Sequence, residues 1–144
     1  MKKLLGIMTM ALTLTACELE TSANGDLDGF WLITSIDTLA THGHKELRDS
    51  SLTWSFQGRI LEIRRAIHQT DEIFICKFEH EGGVVHVFDI YRIKREQEDP
   101  KIEDPAPLRS FGINQLDEHF LVATLNADHM VLQSNGLQIN FEKY

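Results

Sequence analysis

An alternation of period two, recurring from Phe30 to the C-terminus, is the feature that most constrains this chain. β-Branched and aromatic residues gather in short runs bounded by turn residues, and that pattern predicts strands. Eight are expected: Phe30–Leu39, Leu52–Phe56, Arg59–Ile67, Ile73–Glu79, Val84–Tyr91, Phe120–Leu125, Met130–Gln133 and Leu137–Tyr144. His80-Glu81-Gly82-Gly83 and Asn135-Gly136 read as hairpin turns, the second being the preferred type I′ pair. Gln69-Thr70-Asp71-Glu72 and Asn126-Ala127-Asp128 read as further turns. All 3 prolines fall between Lys94 and Pro107, which leaves every strand free of a residue that would remove a ladder hydrogen bond.

That proline-rich, charged stretch (KREQEDPKIEDPAP) imitates a domain boundary. The piece after it, Leu108–Tyr144, is too small to hold a core of its own, so it must complete the sheet begun before it. Leu108–Leu116 is expected as a short helix or turn over one end of that sheet. The fold class is therefore all-β, with one domain of eight antiparallel, meandering strands. Such a sheet leaves two exposed edges unless its first strand pairs with its last, so a closed up-and-down barrel is expected. A flattened barrel or β-sandwich is the alternative. Eight strands enclose a space just wide enough to be filled by side chains or to hold one small ligand.

The N-terminus carries an address. Met1-Lys2-Lys3 is followed by an uncharged run, Leu4–Ala16, too short to cross a ~30 Å hydrocarbon core and of the length of a signal-peptide core. Leu14-Thr15-Ala16-Cys17 then resembles a bacterial lipobox. The resemblance implies cleavage before Cys17 and attachment of diacylglycerol and palmitate-class acyl chains to it; a secretory signal that merely contains a Cys, or an uncleaved anchor, is the other reading. Residues 1–16 are thus expected as signal peptide, 17–26 as a lipidated tether and 27–144 as the barrel. One acyl chain binds a membrane only marginally, at ~10⁴ M⁻¹, whereas two or more anchor stably. The expected location is the cell envelope, at the outer membrane, with the periplasmic or surface face left open. With Cys17 acylated, Cys76 is the remaining thiol of 2, and its alternation with Phe74 and Phe78 predicts a buried, inert group.

Gly29-Phe30-Trp31 opens the first strand and matches the G-x-W signature of lipocalins. With the lipobox, the meander and the final hairpin, the chain resembles a bacterial lipocalin-like lipoprotein domain, of the calycin type. The resemblance implies an eight-stranded up-and-down barrel whose closed end is covered by Trp31. Three family features are missing: a T-D-Y motif, a C-terminal helix, and the late Arg that stacks on the signature Trp. Lys143 is the one basic residue near the C-terminus.

Composition and motifs narrow the chemistry. A net charge of −8 works against a counterion-releasing nucleic-acid footprint, so no nucleic-acid partner is expected. There is no G-x-S-x-G elbow, H-E-x-x-H helix, P-loop or CxxC pair, and no enzyme, catalytic residue or cofactor is expected. His42 and His44 lie in a polar loop expected to be solvated, and the other five His (68, 80, 86, 119 and 129) are scattered near strand ends, so no metal site is expected. Of Arg64 and Arg65 one must face inward. Arg65 shares the face of Leu61 and Ile63, where it would either clamp a ligand anion or sit at the rim and pair with Glu62 or Asp89. Trp54 and Phe56 are expected as core filling. The first functional reading is a membrane-anchored module holding a small apolar ligand in the barrel, with ligand-binding residues unassigned. The second is a filled barrel that meets a protein partner of the envelope, as an inhibitor or accessory subunit.

Overall fold

The computed structural model describes residues 24–67 and 71–144. Among them are nine strands: β1 Gly29–Thr38, β2 Gly43–Glu46, β3 Leu52–Gln57, β4 Ile60–Arg65, β5 Glu72–Glu81, β6 Val84–Arg92, β7 Glu118–Leu125, β8 His129–Ser134 and β9 Leu137–Lys143. From β3 to β9 each strand pairs antiparallel with the next in sequence. The first strand closes the circle: β1 pairs with β9 from Trp31↔Lys143 to Thr38↔Leu137. Eight strands therefore form a closed antiparallel barrel, and all eight anticipated runs are present within two residues at each end.

The ninth strand corrects the reading of residues 37–50 as a solvated loop. β3 pairs only with Gly29–Leu32 of β1, and β2 takes the free edge of β1 beyond it, from Ser35↔Glu46 to Thr38↔Gly43. Unpaired backbone donors and acceptors along that half of β1 outweigh the polar composition of the segment.

The inward face of each strand follows from its alternation. Trp31, Ile33, Trp54, Phe56, Leu61, Ile63, Phe74, Cys76, Phe78, Val85, Val87, Phe120, Met130, Leu132, Ile139 and Phe141 are all at most 2% exposed. Bulges let the ladder bend without losing this pattern. One lies between Ile33 and Ser35 against β9, and another opposite Cys76 brings Asp89 to a φ of 48°. Turn chemistry agrees: Asn135 and Gly136 have φ values of 50° and 76°, as a type I′ turn requires.

One end of the barrel is shut by its N-terminus. A 3-10 turn at Gly25–Leu27 tucks Leu27 beneath Trp31, whose indole Nε1 donates to the Leu27 carbonyl at 2.8 Å. Asn24 Nδ2 donates to Gly58 O in the β3–β4 turn at 2.8 Å. Asn24 and the Gly25–Leu27 turn thus pack together on this end. The signal peptide, Cys17 and most of the anticipated tether lie outside the described residues, as does the turn at Gln69-Thr70.

Candidate functional site

The far end of the barrel, where a ligand would enter, is built from the long excursion between β6 and β7. Asp104 Oδ1 accepts from Ala106 N at 2.9 Å, and Pro105 starts a 3-10 turn over Ala106–Phe111. Gly112, at φ 85°, turns the chain downward with its N–H donating to Arg109 O. Leu108, Phe111 and Ile113 are thereby driven fully into the core. A Cβ on Gly112 would lie 2.3 Å from Ile139 Cδ1, so the cap backbone rests directly on β9. Phe111 meets Phe74 edge-on at 5.9 Å.

Arg65 sits at this end, at the rim of the barrel. Its guanidinium lies over the Phe111 ring, 5.4 Å from the centroid, and Nη2 donates to Ser110 Oγ. Its carboxylate neighbour is Glu72, with Nε and Oε2 3.9 Å apart, rather than Glu62 or Asp89. Register is the reason: Arg65 stands directly opposite Glu72. Glu62 shares a face with Arg64 and accepts from it at 2.9 Å, while Asp89 accepts from Lys77 and Lys101. Arg65 Nε is buried with no hydrogen bond, an orphaned donor beneath the cap.

Between its two ends the barrel is filled. Trp54 reaches across the lumen to Phe120 at 5.5 Å and Phe141 at 5.2 Å, and Phe56 meets Phe78 at 5.0 Å. A void able to hold a ligand would leave accessible surface on its lining; these side chains have essentially none. Cys76 lies in this core, as anticipated, and burial pushes its thiol up to about 12.

The closed end supplies a second outcome. Lys143 Nζ stands over the Trp31 ring, 4.9 Å from its centroid, and donates to Asp26 O at 2.9 Å. The late arginine missing from the sequence thus has its place over Trp31 taken by Lys143. The sequence profile of the lipocalin-like domain family matches residues 12–144. The chain belongs to that family.

Two solved structures share this lipocalin-like architecture. A lipocalin-like protein from Bacteroides uniformis ATCC 8492 is 17% identical, with a TM-score of 0.64 over 83% of this chain and 100% of that one. An uncharacterized protein from Bacteroides eggerthii DSM 20697 is 14% identical, with a TM-score of 0.63 over 82% and 99%. At those identities the likeness is one of fold. No curated protein matches.

On the outer wall of this lipocalin-like barrel, three of the histidines, His44, His86 and His119, have acidic neighbours. His44 pairs with Asp37 and Glu46, and the Asp37 hydrogen bond raises its pKa above the ordinary range. His86 and His119 stand opposite each other on β6 and β7, and Glu79 on β5 opposes His86, so three outward side chains form one row. The two imidazoles stack at 4.0 Å with planes 6° apart, and Phe88 stacks on His86 at 4.6 Å. Asp117 Oδ1 lies 2.7 Å from His86 Nε2 and 4.0 Å from His119 Nδ1. Strand register brings the two histidines together, and register is what single positions in a sequence do not display.

The loop that delivers Asp117 is firmly held. Glu118, 1% exposed, accepts from Asn114 N at 2.8 Å and Gln115 N at 3.3 Å, and from Ser134 Oγ and Asn135 Nδ2 at 2.9 Å each. A buried carboxylate is tolerated only with such a full set of donors. Its alternating position at the start of β7 was the one sequence signal that could have drawn attention to it.

Proposed function

We propose that this chain is a lipid-tethered binding module of the cell envelope that works through its outer surface and capped end rather than through its lumen. The observation that carries this reading is the filled interior, stoppered by Leu108, Phe111 and Ile113. The lipobox-like Leu14-Thr15-Ala16-Cys17 supports the tether. A tether leaving from Asn24, at the closed end, turns the cap away from the bilayer, towards a protein partner.

Two measurements test it. Metabolic labelling with a clickable palmitate analogue should mark the wild-type chain and not Cys17→Ser. Native mass spectrometry of the detergent-solubilised protein from cells should then return the lipidated polypeptide mass alone, and a photo-crosslinker in place of Arg109 should trap one discrete protein. A small molecule carried in stoichiometric amount would overturn the reading. It would favour instead a largely apolar ligand with an acceptor group at one end, entering once the cap swings out, a reading that the orphaned Arg65 Nε beneath the cap supports as a donor to that group.

A further inference from the structure

We propose that His86, His119 and Asp117 form a binding site for a borderline divalent cation of the Zn²⁺ class on the outer wall of the barrel. The three offer ligand atoms that all lie within 4.8 Å of one another. A tetrahedral ion with bonds of ~2.0–2.1 Å needs ligand atoms roughly 3.3 Å apart. Directly opposed strand residues start with Cβ atoms about 5 Å apart, which places two imidazoles within reach of one ion.

The contraction is small, and it falls on the side chains free to make it. Asp117 and His119 have 68% and 62% of their side chains exposed, so χ rotation costs them little packing. His86 is the fixed arm, 23% exposed and held by Phe88. The parallel stack must open by a turn of the His119 ring, so that both nitrogens aim at one point rather than along parallel planes. Asp117 Oδ1 already faces both rings, 2.7 Å from His86 Nε2 and 4.0 Å from His119 Nδ1.

The donor set selects the metal. Two neutral imidazoles and one carboxylate suit Zn²⁺, Ni²⁺ or Cu²⁺, whereas Ca²⁺ and Mg²⁺ demand an all-oxygen shell. Glu79 Oε2, 3.9 Å from His86 Nδ1, adds negative charge at the rim. The cleft beside the pair, about 350 Å³ and lined by Glu79, Glu81, Val84, His86 and His119, leaves the fourth position to water or to a donor from outside.

Calorimetric titration of the full chain in mild detergent with Zn²⁺ tests this. A single ion should bind per chain, with Co²⁺ giving the visible absorption of a tetrahedral site. The His86→Gln/His119→Gln pair should lose roughly tenfold or more in affinity, and His42→Gln/His44→Gln and Cys17→Ser should lose none. Should the first pair fail to fold, Asp117→Asn and the Zn²⁺-induced shifts of the His86 and His119 ring protons in the wild type give the same answer. Binding that persists undiminished in His86→Gln/His119→Gln, ring protons unmoved by Zn²⁺, or no uptake by the wild type, would overturn it.

Discussion

Asp89 is the residue at which backbone and charge meet most tightly. Its φ of 48° belongs to the left-handed region, tolerated by Asp and Asn and costly for β-branched side chains. The bulge there turns its carboxylate outward between Lys101 and Lys77, at 2.9 and 3.0 Å, and the hydrogen bonds from these lysines, Lys101 first, hold it below the usual carboxylate range. A pKa lowered by folding contributes stability that is intact above the unfolded value and is lost as pH falls through the folded one. Asp89→Asn should therefore lower stability at neutral pH and leave it nearly unchanged in acid, flattening the acid limb of the stability curve. Asp89→Val should lower stability by about 1–2 kcal/mol at all pH values, from the left-handed backbone alone. Urea unfolding across pH 2–7 separates the two effects.

Among the elements, the cap does most to decide what kind of barrel this is. Its descent into the lumen depends on Gly112, which combines a φ of 85° with backbone contact to Ile139. Gly112→Ala should destabilise by about 1–3 kcal/mol through overpacking, and should raise hydrogen exchange at Ile113 and Gly112 ahead of the rest of the barrel. Much of this architecture was legible beforehand. Period-two alternation marked eight strands, Asn-Gly marked the last hairpin, and the prolines marked the excursion whose 108–116 portion lies over one end. What stayed hidden depends on partners remote in sequence. The β2 pairing arises because β3 is short against β1; Arg65 chooses Glu72 because of register; and His86 meets His119 although the two are far apart in the sequence. An isolated His near a strand end carries no sign of which residue faces it on the next strand.

For the molecule as a whole, the lumen and the wall have separate duties. Trp54, in contact with Phe56, Phe120 and Phe141, ties opposite sides of the barrel together. Trp54→Ala should cost about 3–5 kcal/mol and open an apolar void able to take up a fluorescent hydrophobic probe that the wild type excludes. Probe uptake by the wild type at comparable strength would mean that the interior is already accessible. Among the described residues the acidic side chains, by contrast, lie on the outer wall, apart from the buried Glu118.

The seam between β1 and β9 also bears on the order of events at birth. Thr34 Oγ1 reaches Asn140 O across a separation of 106 residues, and Tyr144 N reaches back to Phe30 O. The barrel therefore closes only when β1 and β9, far apart in the chain, have both formed. Entropy of so long a loop makes that last step slow. A chain still lacking β9 has no closed barrel to fall into, and so stays pliable until that strand is made.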